Sequence, residues 1–93
     1  MTRDKLNQSL IDASAQGDAE EVKLLLNLGA DANTHNDYAI RLASFHGRAD
    51  VVRLLLKSGA DAGARDDYAL RMASEYGYDE VVKILTNWKG ANK

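Results

Sequence analysis

The sequence predicts an all-α solenoid of three helix-turn-helix repeats with shortened connector loops, and three observations carry that prediction. Laid against itself at a shift of thirty, the chain brings Gly17, Gly47 and Gly77 into register, each preceded by Ala-Ser three residues earlier. Leu10, Ile40 and Leu70 align, as do Val22, Val52 and Val82; Gly29-Ala30-Asp31-Ala32 recurs as Gly59-Ala60-Asp61-Ala62. No proline interrupts the helical stretches of any unit. A fixed period of this size marks an array in which each unit buries its apolar face only against its neighbours. The 93 residues are expected to form one domain over 1–93, with repeats at about 7–36, 37–66 and 67–93.

Each unit reads as two short helices and a loop. In the first unit Asp18-Ala19-Glu20-Glu21 resembles a capping box, with an acid at the N-cap and another three residues on. In the middle unit the first helix runs from Tyr38 to Phe45, with Asp37 expected as its N-cap. Gly47 ends that helix, because glycine takes the left-handed conformation of a C-terminal cap. The second helix covers roughly Asp50 to Lys57 and stops at Gly59 for the same reason. Val51, Val52, Leu54, Leu55 and Leu56 span an arc of about 200°, wider than a surface helix presents, so it must be covered on more than one side. The outer units break that pattern. Glu21 stands in the slot of Val51, Thr86 in that of Leu56, and Asp12 in that of Leu42 and Met72. Polar residues in terminal units are what capping repeats require, and they suggest three units complete in themselves.

These residues resemble the ankyrin-repeat family. The run from Gly17 to Asn33 looks like the second half of an ankyrin repeat, G-H-x-E-V-V-K-L-L-L-x-x-G-A-D-x-N, and Gly47 to Asp61 carries it again; the likeness covers about residues 7 to 90. Two departures stand out. The period is 30 rather than the usual 33, and between Asp61 and Leu70 the missing residues are those of the β-hairpin finger, so a short loop is expected. The T-P-L-H opening is replaced by Tyr38-Ala39-Ile40-Arg41 and Tyr68-Ala69-Leu70-Arg71, and Tyr plus Arg are expected to hold the loop instead. Units opening in this way resemble an ankyrin variant associated with viral and microbial proteins.

Composition narrows the function. Twelve Lys and Arg against 14 Asp and Glu give a formal charge of −2, and the basic residues are scattered singly. A nucleic-acid binder gathers a basic excess on one face, so no nucleic-acid partner is expected. No apolar run reaches the ~18 residues of a membrane span and no secretory signal opens the chain, so a cytoplasmic protein without membrane association is expected. There is no cysteine, hence no disulfide and no thiolate chemistry. Catalysis is not expected, nor any cofactor or metal. His35 and His46 stand in no metal-ligand spacing. Ser14, Ser44 and Ser74 recur at a small slot that reads as packing, and each glycine is explained by a helix end.

Asp37 with Arg41, and Asp67 with Arg71, are read as exposed i, i+4 ion pairs of the scaffold. Tyr38 and Tyr68 are expected to stack between units. Trp88 aligns with Leu28 and Ser58 and is expected beyond the last helix, packed over the C-terminal end.

Three slots vary where the rest repeat: Ala15, Phe45, Glu75; Gln16, His46, Tyr76; and Asp18, Arg48, Tyr78. Repeating slots build the stack and varying slots face outward, and exposed aromatics favour interface use. In ankyrin proteins, by resemblance, such slots line the concave face that grips partners. The candidate partner-binding residues are Phe45, His46, Arg48, Glu75, Tyr76 and Tyr78. The expected function is a non-catalytic, monomeric protein-binding module, an adaptor or inhibitor of one protein partner. The alternatives are a structural or engineered scaffold without a partner, or a homo-oligomerising unit. Units two and three match at 10 of 27 aligned positions, which favours natural divergence over a consensus scaffold.

Overall fold

The computed structural model of the protein describes residues 1–91. Six helices follow one another: α1 (Arg3–Gln16), α2 (Ala19–Asn27), α3 (Thr34–Phe45), α4 (Ala49–Lys57), α5 (Ala64–Glu75) and α6 (Asp79–Ala91). None of the described residues lies in a strand. Helices α1, α3 and α5 pack side by side as one layer, α2, α4 and α6 as the other, and each helix pair crosses between layers. Apolar residues at the repeating slots meet between the layers: Leu10, Ile40, Val22, Val52, Leu55 and Leu85 are fully buried. Ala13, Ala43 and Ala73 keep the first-layer helices close, and all three are buried.

The ends of the stack behave differently from its middle. Leu70 and Val82 are only half-buried, although the same slots in the first two units are sealed. Asp12, Glu21 and Thr86 are exposed, as their polarity requires. The serine slot needs a correction. Ser14 and Ser44 are fully buried, but Ser74 is exposed, because among the described residues no further unit covers it.

Helix ends follow the glycine pattern. At Gly47 φ is 72°. Its N–H donates to the Ser44 carbonyl at 3.2 Å, and the Arg48 N–H reaches back to the Ala43 carbonyl at 2.8 Å. This pair of reversed bonds satisfies carbonyls the helix leaves open. The capping box at α2 is half formed. Asp18 Oδ1 accepts from the Glu21 N–H at 3.1 Å, while the Asp18 N–H is already given to the Ala13 carbonyl. Trp88 corrects the sequence expectation, since it lies inside α6 and packs against the core. The reason is in the sequence: Lys89 stands where Gly29 and Gly59 end the preceding helices, so that slot lacks the glycine of a left-handed cap.

The connector before α3 and α5 was expected as a short loop held by Tyr and Arg, but its left-handed conformation was not foreseen. Within α3, His35, Asn36 and Asp37 take φ of 54°, 56° and 61°, and the right-handed helix starts only at Tyr38. Arg65, Asp66 and Asp67 repeat this left-handed turn in α5. Non-glycine residues pay roughly 1–2 kcal/mol each for that conformation, so the turn must be held from outside. Arg41 holds it, with Nε donating to the Asn36 carbonyl at 3.0 Å and Nη2 to the His35 carbonyl at 3.1 Å. Arg71 does the same to the Asp66 and Arg65 carbonyls. Two expectations are thereby corrected. Arg41 makes no ion pair with Asp37, and Asp37 does not cap its own helix. The buried Asp37 carboxylate instead accepts from Asn33 Nδ2 and from the Asp61 N–H, both at 2.8 Å, tying the helix start to the next loop.

Candidate binding face

Spacing along α3 sets the face. Ala39, Ile40 and Ala43 point into the core, which leaves Tyr38, Arg41, Leu42 and Phe45 at i, i+3, i+4 and i+7 on the outer side. Along α5 the same slots hold Tyr68, Arg71, Met72 and Glu75. Because α3 and α5 are neighbours, the two outer sides form one surface.

Its far end is aromatic. The Phe45 ring meets Tyr76 edge-on, with centroids 5.1 Å apart and planes at 74°, and meets His46 at 5.2 Å and 80°. Tyr76 lies 6.1 Å from Tyr78. These are the offset and edge arrangements that ring quadrupoles favour. Four of the six residues singled out from sequence are thus brought together across the second and third units. Tyr76 is 51% exposed and His46 exposed, while Phe45 is half-buried. Neither Phe45 nor Tyr76 belongs to the core cluster or packs against it.

Arg48 and Tyr78 sit differently. Tyr78 packs against the core and covers Gly47, where an added Cβ would come 2.8 Å from its ring. Arg48 lies over Gly17 and donates from Nε to the Ala15 carbonyl at 3.1 Å. Both therefore join one unit to the next as well as bordering the face. Glu75 is exposed beside Tyr76 and forms no ion pair among the described residues.

A family model for ankyrin repeats, in three copies, matches residues 10–93. The chain belongs to the ankyrin-repeat family. No curated protein matches it. Ankyrin repeats are in general modules of protein–protein interaction without enzymatic activity. The Ser14 and Ser44 hydroxyls are sealed from solvent with no hydrogen-bond partner, so neither can reach a substrate. His35 is exposed, its Nδ1 3.0 Å from the Thr34 hydroxyl. No group of three His, Cys, Asp or Glu is placed to hold a metal among the described residues. Among them, too, no helix is long and apolar enough to cross a membrane.

Two grooves escaped the sequence reading. One, of about 310 Å³, is lined by Arg41, Arg65, Asp66, Tyr68 and Arg71 at the loop end of the face. Here the arginines alternate with the tyrosines: Arg41 lies 5.1 Å from the Tyr38 ring centre and 5.7 Å from that of Tyr68, and Arg71 5.8 Å from Tyr68. The repeated Tyr-x-x-Arg spacing was the available signal. The other, of about 400 Å³, lies between α4 and α6, with Leu56, Ile84 and Trp88 below a rim of Lys57 and Lys83 and the Arg53–Glu80 ion pair. It belongs to the other layer, away from the aromatic cluster.

Proposed function

We propose that this ankyrin array is a non-catalytic binding module, an adaptor or inhibitor, that takes one protein partner on the outer face of α3 and α5. The reading centres on Phe45, His46 and Tyr76, with Glu75 beside them and Arg48 and Tyr78 at the border. One observation carries it. Phe45 and Tyr76 cluster with each other at slots where other units hold Ala15 and Gln16, and neither contributes to the core. The stack does not need them, whereas interface energy concentrates in a few aromatic or Arg side chains set in such clusters. A rigid helical platform also loses little freedom on binding.

The test is site-directed photocrosslinking in cells of the source organism. A benzophenone amino acid replacing Tyr76 should yield a discrete protein adduct, and the same group replacing Lys57 on the other layer should not. Adducts from position 57 alone would move the site to the α4–α6 groove.

A further inference from the structure

Resting on that reading, we infer that Arg41, Arg65 and Arg71, gathered around Tyr68, form a carboxylate-binding edge of the interaction face, so that the partner docks an acidic stretch of Asp and Glu side chains there. The groove carries three guanidinium groups against one carboxylate, Asp66, on a chain whose formal charge is −2. No guanidinium of the three is paired with a carboxylate among the described residues, whereas Arg53 pairs with Asp50 and Glu80. Asp37, the sequence neighbour that could have neutralised Arg41, is turned to Asn33 and Asp61 instead.

The arginines are also preorganised. Arg41 and Arg71 each spend Nε and Nη2 on turn carbonyls, and both rest near the Tyr68 ring. Their Nη1 groups have no hydrogen-bond partner among the described residues. A guanidinium held in this way loses little freedom on meeting a carboxylate, and its planar fork matches that group. Holding the turn explains Arg41 and Arg71 but not Arg65, whose side chain contacts no acceptor there and which replaces His35 of the preceding unit. A singly charged carboxylate suits a groove that already contains Asp66 better than a phosphate dianion does. Arg41 lies four residues before Phe45 on one helix face, about 6 Å along the axis, so one bound segment can span both ends.

The experiment is an NMR titration of the full ¹⁵N-labelled chain with hexaglutamate, hexaglutamine and a phosphoserine peptide. Hexaglutamate should shift the Nε–Hε signals of Arg41 and Arg71 saturably, more weakly as salt rises, and hexaglutamine should not. Arg65→Gln should weaken that binding at least threefold with the denaturation midpoint unchanged. Shifts that are absent, or spread equally over Arg53, Lys57 and Lys83, overturn the inference. So does a phosphopeptide that binds tenfold tighter than hexaglutamate. Because hexaglutamate offers nothing to Phe45 or Tyr76, its failure leaves the Tyr76 crosslink result standing, and loss of the crosslink leaves this titration readable.

Discussion

Gly47 and Gly77 end equivalent helices with nearly the same backbone, φ of 72° and 75°, and the same pair of reversed hydrogen bonds at 3.2 and 2.8 Å. They differ in what lies above them. A Cβ on Gly47 would come within 2.8–2.9 Å of three Tyr78 ring atoms, whereas one on Gly77 would meet nothing within 4 Å among the described residues. Gly77→Ala therefore measures the left-handed conformation alone, about 1 kcal/mol. Gly47→Ala adds displacement of a ring packed on the core, a further ~1–3 kcal/mol by analogy with overpacked interiors. In a chain of this size that difference is a gap in Tm of roughly 4 °C or more. Urea unfolding followed by circular dichroism and Trp88 fluorescence would read both variants. In a Tyr78→Ala background the two alanines should cost the same. Equal costs in the wild-type background, or an unreduced cost of Gly47→Ala once the ring is gone, would refute the assignment of Tyr78 as the cover of this helix end.

Other consequences are equally direct. Asp37→Ala removes an acceptor shared by Asn33 and the Asp61 N–H and should cost ~2 kcal/mol, as for hydrogen bonds to a charged group. Asp37→Asn should cost much less, because Asn7 Oδ1 already serves the Asp31 N–H in the first unit at 2.7 Å; equal midpoints for the two variants would contradict this. Ser44→Ala should be neutral or stabilising by up to ~1 kcal/mol, since its hydroxyl is buried without a partner. A loss above that size in the same urea assay would show that the hydroxyl is bonded.

The stack was legible because its determinants are local and repeated. Glycines mark helix ends, and aligned Leu, Ile and Val mark the layer between them. The left-handed turns at His35-Asn36-Asp37 and Arg65-Asp66-Asp67 were not legible: His, Asn and Asp are the non-glycine types most given to positive φ, but as single residues rather than three in a row. What stabilises them is Arg41 and Arg71 reaching back five and six residues, and in the first turn an Asp37 carboxylate bonded 24 residues away. Spacing alone suggested ion pairs there. Ser74 misled for another reason: a slot is buried by the following unit, and its sequence cannot say whether that unit exists. For the candidate face, variation between slots pointed to residues whose rings the fold brings together. It did not separate Phe45 and Tyr76, which the core does not use, from Arg48 and Tyr78, which also join neighbouring units.

The claim that the α3–α5 face binds a partner while the core supports it is tested most directly by one paired measurement on the crosslinked partner. Phe45→Ala combined with Tyr76→Ala is compared with Leu55→Ala, reading partner Kd and urea midpoint together. Leu55 is fully buried, and its truncation should cost ~2–5 kcal/mol of stability. The aromatic pair should weaken binding at least tenfold, as expected of interface anchors, with little change in midpoint. A double variant that unfolds as readily as Leu55→Ala, or that binds the partner as well as the unaltered chain, would contradict the account.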